Sequence, residues 1–188
     1  MSHSSAIHGL NALQKHYVQT EAKGLEGYMS DTTSPLAYLA LGANLGDRLE
    51  NLRFAIEKLS EHPEINIVKV SSVYETEPVG GPPQPDYLNA VVAVETTLTA
   101  RELLETALSI EQEANRVRAE KWGPRTLDID VLLVGEEKHD EPGLEIPHPR
   151  MWERPFVLVP LYEIAPQFFA SPPDNSGVRL FSQDIHRG

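Results

Sequence analysis

The chain has 188 residues and a mass of 20.9 kDa, which is the size of one ordinary domain or of one domain with a tail. Its 40% hydrophobic and 23% charged residues are typical of a soluble globular protein and exclude a wholly disordered chain. No apolar run approaches the roughly 20 residues that span a bilayer, and the N-terminus lacks the pattern of a secretory signal. Because the chain has no cysteine, disulfides, Cys-zinc sites and thiol catalysis are excluded, and we expect a cytoplasmic enzyme or binding protein.

The charge is strongly negative and unevenly distributed. Sixteen Lys and Arg face 28 Asp and Glu, and the net charge of −12 argues against general affinity for nucleic acid or an anionic membrane. Between Arg116 and Arg125, by contrast, four basic residues and one acidic residue give a local charge of +3. Such a cluster is typical of a site for a small anion, and equally of a solvated helix end, where basic residues favour the macrodipole.

Regular structure is predicted only after residue 35. Residues 1–35 show no strand pattern, and we expect a flexible N-terminal extension there. Apolar periodicity and turn residues then predict a strand over 37–41, a helix over 49–59, a strand over 65–74, a strand over 88–97, a helix from the Thr99-x-x-Glu102 capping box to about residue 116, and a strand over 127–134. A loop over 75–86 with four prolines and two glycines follows the second strand, and Pro160 interrupts a short apolar segment over 156–164.

The predicted order is β-α-β-β-α-β, which is typical of an α/β (α+β) ferredoxin-like fold with helices packed on an antiparallel sheet. We expect this domain to occupy residues 36–170, followed by a C-terminal extension over 171–188. Because this fold carries many unrelated functions, the activity has to be inferred from the site residues.

Asp128 and Asp130 are the first candidates for chemistry. Residues two apart in a strand share a face, so Leu127, Ile129 and Val131 would point to the opposite, apolar face. Two neighbouring carboxylates repel each other unless a cation joins them, and paired oxygen ligands suit Mg²⁺. The alternative is a solvent-facing strand edge; we favour the metal site.

The neighbouring residues indicate a polyphosphate ligand. Arg125 precedes Asp128 by three residues, and Arg forks neutralise phosphate charge while Mg²⁺ bridges adjacent phosphates. Trp122 offers a flat face for a ring, although a buried core Trp explains it equally well. The chain has no Gly-x-x-x-x-Gly-Lys-Ser/Thr motif and is therefore not a P-loop enzyme.

Two further polar residues have simple alternatives. His148 lies between two prolines and near Arg150 and Arg154, but a loop histidine packed on proline explains the local sequence at least as well. Asn89 carries both a donor and an acceptor and could read the edge of a heterocycle, although an ordinary turn asparagine is the simpler interpretation of that residue alone.

These residues lie in segments that resemble the 6-hydroxymethyl-7,8-dihydropterin pyrophosphokinase family of folate biosynthesis. The resemblance covers roughly residues 36–166. It is carried in order by LGANLGD at 41–47, YETEPVG at 74–80, QPDYLNA at 84–90, KWGPRTLDIDVL at 121–132, PHPRM at 147–151 and RPFVL at 154–158.

The resemblance implies a ferredoxin-like fold and transfer of diphosphate from ATP to the pterin hydroxymethyl group, with release of AMP. It implies that Asp128 and Asp130 hold two Mg²⁺ ions and that Arg116 and Arg125 are catalytic. The implied ATP contacts are Glu111, Arg118, Lys121, Arg125, His148 and Arg154. The implied pterin contacts are Thr76, Glu77, Val79, Tyr87, Asn89, Trp122 and Phe156, with Trp122 and Phe156 on either side of the ring.

The resemblance also bears on assembly and on rival functions. Relatives are monomers or weak dimers, and the partners implied are ATP and the pterin, with neither nucleic acid nor membrane. One rival is a different ATP-dependent transferase on the same scaffold, acting at the γ phosphorus or on another heterocycle, and release of ADP instead of AMP would distinguish it. Another is a ligand- or RNA-binding module without catalysis, which the net charge of −12 disfavours for RNA.

Overall fold

The structure, a computed structural model, describes residues 35–114 and 124–185. Within them the strands are β1 Leu36–Ala43, β2 Ile65–Val70, β3 Val73–Thr76, β4 Tyr87–Thr96, β5 Asp128–Val134, β6 His139–Glu141, β7 Leu144–Ile146 and β8 Val178–Ser182. The α-helices are α1 Arg48–Glu61, α2 Ala100–Glu113 and α3 Pro155–Ile164, and short 3₁₀ turns cover Met151–Glu153 and Pro166–Phe168. Residues 1–34 of the predicted N-terminal extension lie outside the described residues.

An antiparallel sheet with the order β5-β1-β4-β3-β8 forms the centre of the molecule, and β2 pairs with the far end of β4. When β2 and β3 are counted as one interrupted strand, this is the predicted ferredoxin-like arrangement, which the structure confirms. None of the helices in the described part of the chain has the length and apolar character needed to cross a membrane.

Local capping explains where the first two helices begin. The Asp47 side chain accepts a hydrogen bond from the Glu50 backbone N–H at the start of α1. At the start of α2, Thr99 and Glu102 form the predicted capping box, in which each side chain bonds the other residue's backbone. Helix α2 ends at Glu113, three residues before the predicted end.

The single strand predicted over 65–74 is two strands separated at Ser71 and Ser72. The Ser72 backbone N–H and hydroxyl both donate to the Glu163 carboxylate of α3, and the Ser71 hydroxyl accepts from the Val91 N–H. These side chains replace ladder hydrogen bonds where the strand breaks. Their partners are distant in sequence, so local periodicity shows the apolar run and not its interruption.

The two faces of the sheet are covered by different elements. Helices α1 and α2 cover one face and enclose a large apolar core that includes Leu39, Leu52, Leu59, Leu103 and Leu127. The opposite face packs against α3 and the two 3₁₀ turns, through a second cluster around Tyr38, Met151, Trp152, Val157 and Leu161.

The segment predicted as an apolar run interrupted by Pro160 is helix α3. Pro155 occupies the first turn, where its missing N–H costs nothing, and Pro160 lies inside the helix. Burial of Val157, Leu158, Pro160, Leu161 and Ile164 against the sheet offsets the hydrogen bond that Pro160 cannot make.

Two strand features lie in segments predicted as loop or tail. The polar segment after β5 contains the β6–β7 hairpin, with Gly143 at a φ of 77° in its turn. Residues 178–182, in the predicted C-terminal extension, form β8 and pair with β3.

Candidate active site

A cavity of about 300 Å³ lies on the α3 side of the sheet, where α3 begins and leaves the strand ends uncovered. Five parts of the fold meet there: β1, the end of β3 with the loop that follows it, the start of β4, the start of β5, and the segment leading into α3. Its polar and charged lining comprises Thr76, Glu77, Gln84, Tyr87, Asn89, Arg125, Asp128, Asp130, Arg150, Glu153 and Arg154.

Strand β5 brings the two carboxylates into this cavity. Leu127, Ile129 and Val131 are buried in the core under α1 and α2, so the alternate residues Asp128 and Asp130 face the opposite side and line the cavity. Burial, and then the charge of Asp128, raise the pKa of the Asp130 carboxyl above its usual value; the positive charges of Arg154 and Arg125, and that of His148 when it is protonated, oppose the shift. The pair is therefore a crowded, partly desolvated concentration of negative charge.

Three basic side chains surround the carboxylates. The Arg125 guanidinium forms an ion pair with Asp128. Arg154 Nη1 lies 3.4 Å from Asp130 Oδ2, and His148 Nε2 lies 3.8 Å from the same oxygen. The Arg154 guanidinium also lies 5.7 Å from the centroid of the Phe156 ring. One wall of the cavity thus combines acidic oxygens with Arg groups suited to an anion.

The carboxylate pair fits a magnesium ion that a bound polyphosphate would help to hold. In residues 35–114 and 124–185 no group of three or more His, Asp and Glu side chains forms a ready-made metal cage. Mg²⁺ is commonly bound by only one or two carboxylates and completes its shell with water and phosphate oxygens. A cation at Asp128 and Asp130 would also relieve the repulsion from Asp128 that, after burial, raises the pKa of Asp130.

The opposite wall presents an oriented amide. The Asn89 side-chain Nδ2 donates to the Thr76 hydroxyl at 2.9 Å, and both residues are buried. Gly42 lies beside them on β1, where an added Cβ would be 3.6 Å from Asn89 Oδ1 and 3.9 Å from Tyr87 Cδ1. The glycine keeps this side of Asn89 open, so the amide is positioned to read a planar ligand by hydrogen bonds.

Asn44, only 1% exposed, connects the two loops that flank the cavity. Its Oδ1 accepts from the Arg125 N–H at 2.7 Å, and its Nδ2 donates to Gln84 Oε1 at 2.9 Å and to the Pro85 carbonyl at 3.0 Å. The Asn44 and Leu45 N–H groups both donate to the Arg125 carbonyl. One buried amide thereby fixes the chain leading to Asp128 and the end of the proline-rich segment.

Ten of the sixteen predicted site residues line the cavity: Thr76, Glu77, Val79, Tyr87, Asn89, Arg125, Asp128, Asp130, Arg154 and Phe156. His148 lies beside the lining and next to Asp130. Glu111 is 2% exposed and lies behind β5, where its Oε1 accepts from the Ile129 N–H at 2.7 Å. Arg116, Arg118, Lys121 and Trp122 lie outside the described residues.

Sequence reasoning did not single out Asn44, Arg150 or Glu153 as site residues. Asn44 lies in a turn that reads as ordinary helix capping, and only the fold brings it to Arg125 and Gln84, 81 and 40 residues away along the chain. Arg150 directly precedes the 3₁₀ turn that leads into α3, and Glu153 is the last residue of that turn. Their proximity to the predicted His148 and Arg154 was the available signal.

Comparison with known proteins identifies similar chains. The family described as 7,8-dihydro-6-hydroxymethylpterin-pyrophosphokinase (HPPK) matches residues 38–166. The 2-amino-4-hydroxy-6-hydroxymethyldihydropteridine pyrophosphokinase of Bacillus subtilis is 46% identical over 152 residues, which cover 79% of this chain and 91% of that protein. The protein of the same name from Synechocystis is 45% identical over 147 residues, which cover 78% of this chain and 75% of that protein.

Solved structures show the same fold. Wild-type Plasmodium falciparum HPPK-DHPS, crystallised with SDX-DHP, superposes with a TM-score of 0.54 at 16% identity. The superposition covers 76% of this chain and 42% of that chain, so this protein spans less than half of that structure.

Proposed function

Because the chain belongs to the HPPK family, whose match spans the cavity-lining strands, we infer that the cavity beside β5 is its active site. The protein is a transferase of folate biosynthesis. It transfers diphosphate from ATP to the hydroxymethyl group of 6-hydroxymethyl-7,8-dihydropterin, giving the pterin diphosphate and AMP. ATP and this pterin are accordingly its small-molecule substrates. The observation that carries the assignment of the site is the convergence of ten predicted residues on one cavity.

Asp128 and Asp130 are the proposed ligands of two Mg²⁺ ions. The support is their shared face on β5, the burial and the charge of Asp128 that raise the pKa of Asp130, and the preference of Mg²⁺ for carboxylate and phosphate oxygens. When bound, the ions would supply neutralisation of the phosphate charge.

The proposed role of the basic residues is to bind and orient the triphosphate. Arg125 and Arg154 already lie against the two carboxylates, so each can exchange an Asp oxygen for a phosphate oxygen over a short distance. Diphosphoryl transfer depends mostly on alignment and charge neutralisation, which these two guanidinium groups provide from opposite ends of the carboxylate pair. Arg116, as a second catalytic arginine, and Arg118 and Lys121, as ATP contacts, stay predictions.

The proposed pterin subsite is the wall formed by Thr76 and Asn89. The hydrogen bond from Asn89 Nδ2 to Thr76 fixes the orientation of the amide, and Gly42 keeps the approach to Asn89 open. Such a buried, oriented amide discriminates strongly against rings that lack its hydrogen-bonding partners. Phe156 offers an aromatic face at the start of α3, while Glu77, Val79 and Tyr87 complete the wall; contact of Trp122 with the ring stays a prediction.

Product analysis tests this function. The protein is incubated with ATP, Mg²⁺ and 6-hydroxymethyl-7,8-dihydropterin, each is omitted in turn, and AMP is separated from ADP. Pterin-dependent AMP in step with a pterin diphosphate is the expected result. ADP as the product would contradict attack at the β phosphorus, and binding of both ligands without turnover would instead indicate a binding protein.

Three further expectations stay predictions. Size-exclusion chromatography with light scattering would test the expected monomer or weak dimer, and cell fractionation would test the cytoplasmic location. Binding to single-stranded RNA would test the expected absence of nucleic-acid affinity.

A further inference from the structure

Two arginines join the ends of the segment that forms one wall of the cavity. The proline-rich loop, residues 77–86, connects β3 to β4 and contributes Glu77, Pro78, Val79, Gly80 and Gln84 to the lining. Glu75 lies two residues before this loop, and Asp86 is its last residue. The separation of Glu75 and Asp86 therefore determines how the loop enters and leaves the sheet.

Each arginine contacts both ends. Arg48 Nη1 lies 2.9 Å from Glu75 Oε1 and donates to the Asp86 carbonyl oxygen at 2.9 Å. Arg179 Nη2 lies 3.4 Å from Glu75 Oε2 and 2.9 Å from Asp86 Oδ2. The two guanidinium groups thus bridge the same pair of residues and hold the base of the loop together.

The arginines come from elements far apart in the chain. Arg48 is the first residue of α1, whereas Arg179 lies in β8, beyond the residues that match the HPPK family. Strand β8 pairs with β3 so that Arg179 lies opposite Glu75 and Val178 lies opposite Thr76. The Arg48 guanidinium also lies 5.8 Å from the Phe181 ring centroid, which links α1 directly to β8.

The position of β8 is secured beyond its end. Ile185 is buried in the main core, and its carbonyl oxygen accepts a hydrogen bond from Arg53 Nε at 2.7 Å. Because the strand is held by β3 on one side and by Ile185 at its end, Arg179 has a defined place from which to act on the loop. An edge strand needed only to cover β3 would not require a side chain that reaches across to Asp86.

We propose that Arg179 is a positioning residue for the pterin, and that β8 fixes the base of the proline-rich loop through its bridge between Glu75 and Asp86. The proposal rests on the assignment of the cavity as the active site. The loop contains two glycines and would otherwise lose conformational entropy when the pterin binds. Holding its base in place orders the loop beforehand and so reduces the entropy that binding loses. The carboxylate pair lies on β5 at the far wall, so the effect concerns the pterin rather than the bond that is broken.

Exposure limits the size of the effect. The Arg179 side chain is 55% exposed, and each exposed ion pair contributes little. For Arg179→Gln we expect the KM for the pterin to rise about fivefold, with kcat and the KM for ATP changing by less than about twofold. The pterin KM of Arg179→Lys should lie between those of the unsubstituted chain and Arg179→Gln, because an ammonium group is a point charge and bridges two carboxylates less well than a guanidinium fork.

The matched control is Arg101→Gln. Arg101 Nη2 forms an exposed ion pair of the same kind, 2.9 Å from Glu141 Oε2 on the β6–β7 hairpin, and its side chain is 40% exposed. The control should leave the pterin KM unchanged. Hydrogen exchange of peptides from residues 77–86 supplies a second measurement, in which Arg179→Gln should exchange faster than both the unsubstituted chain and the control.

An unchanged pterin KM in Arg179→Gln, or equal changes in Arg179→Gln and Arg101→Gln, would overturn the proposal. Equal increases in the KM values for pterin and ATP would also overturn it, since they would indicate a general loss of structure. If the unsubstituted chain makes no pterin-dependent AMP, the proposed function itself is wrong. Unaltered hydrogen exchange of residues 77–86 in Arg179→Gln would show separately that Arg179 does not hold the loop.

Discussion

The two faces of strand β5 differ in how completely neighbouring elements cover them. Ile129 faces α1 and α2, which close completely over an apolar core. Asp128 and Asp130, its direct neighbours in the chain, face the side of the sheet where α3 leaves the strand ends uncovered and a cavity remains. Strand alternation separates stability and chemistry by a single residue, so substitutions at adjacent positions should have different kinds of effect.

The largest effect on activity is expected at Asp130. Asp130→Ala removes one of the two proposed metal ligands, and we expect kcat to fall by at least about 10³-fold, since a bound metal contributes several kcal/mol of charge stabilisation. The free energy of unfolding should change by less than about 1 kcal/mol, because the loss of contacts is offset by relief of the repulsion from Asp128. Steady-state kinetics and urea denaturation on the same preparation measure both quantities. Near-normal kcat would contradict the assignment of the polar face.

Arg125 should come next. Arg125→Ala removes the guanidinium beside Asp128, and we expect kcat to fall on the order of 10²-fold, with a smaller rise in the KM for ATP, if its contact with phosphate strengthens in the transition state. Arg125→Lys should recover part of the loss, because it keeps the charge without the bidentate geometry. A rise in KM with kcat unchanged would show that Arg125 binds the ground state and the transition state equally.

Ile129 tests the apolar face of the same strand. Ile129→Ala should lower the free energy of unfolding by about 3 kcal/mol, because it leaves a cavity in the core under α1 and α2. The folded fraction, assayed at low temperature, should keep kcat within about a factor of two. The milder Ile129→Val should cost about 1 kcal/mol, which keeps the comparison usable if the alanine variant folds poorly. A loss of kcat comparable to that of Asp130→Ala would show that the two faces are not separable.

The smallest effect concerns the attachment of α3 to the sheet. The Tyr74 hydroxyl donates to Glu163 Oε2 at 2.9 Å; burial, and then this hydrogen bond and the charge of Glu163, raise the pKa of Tyr74 to about 12. The unfolded chain loses this proton near pH 10, so the contribution of Tyr74 to stability is complete below pH 10 and disappears as pH rises through 12.

Tyr74→Phe should therefore be less stable than the unsubstituted chain at pH 9, and the difference should be smaller at pH 11 and disappear only above pH 12. Urea denaturation at the two pH values measures the difference in unfolding free energy. A difference that stays constant from pH 9 to pH 11 would contradict the role of the Tyr74 proton.

The sequence predicted those parts of the fold that depend on local patterns. Alternation in β5 placed Ile129 and the two aspartates on opposite faces, and Thr99 with Glu102 marked the start of α2. Both signals arise from residues within one turn or one strand, where side-chain period and capping chemistry are sufficient.

The features it did not predict depend on distant partners. The break at Ser71 and Ser72 requires Glu163, 91 residues away. Strand β8 forms because it pairs with the edge of β3. Its five residues show too little alternation of buried and exposed positions for the sequence alone to predict this pairing. Helix α3 tolerates Pro160 because of its burial against the second cluster, which overrides local propensity.

The proposed role of the polar face of β5 is to hold metal ions, and Mn²⁺ binding measured by electron paramagnetic resonance is its direct test. The protein is titrated with Mn²⁺ in the presence of α,β-methylene-ATP and the pterin, with nucleotide alone as the background. We expect two bound Mn²⁺ per unsubstituted chain and fewer than two in Asp130→Asn. Equal numbers bound with equal affinity in both proteins would contradict this role.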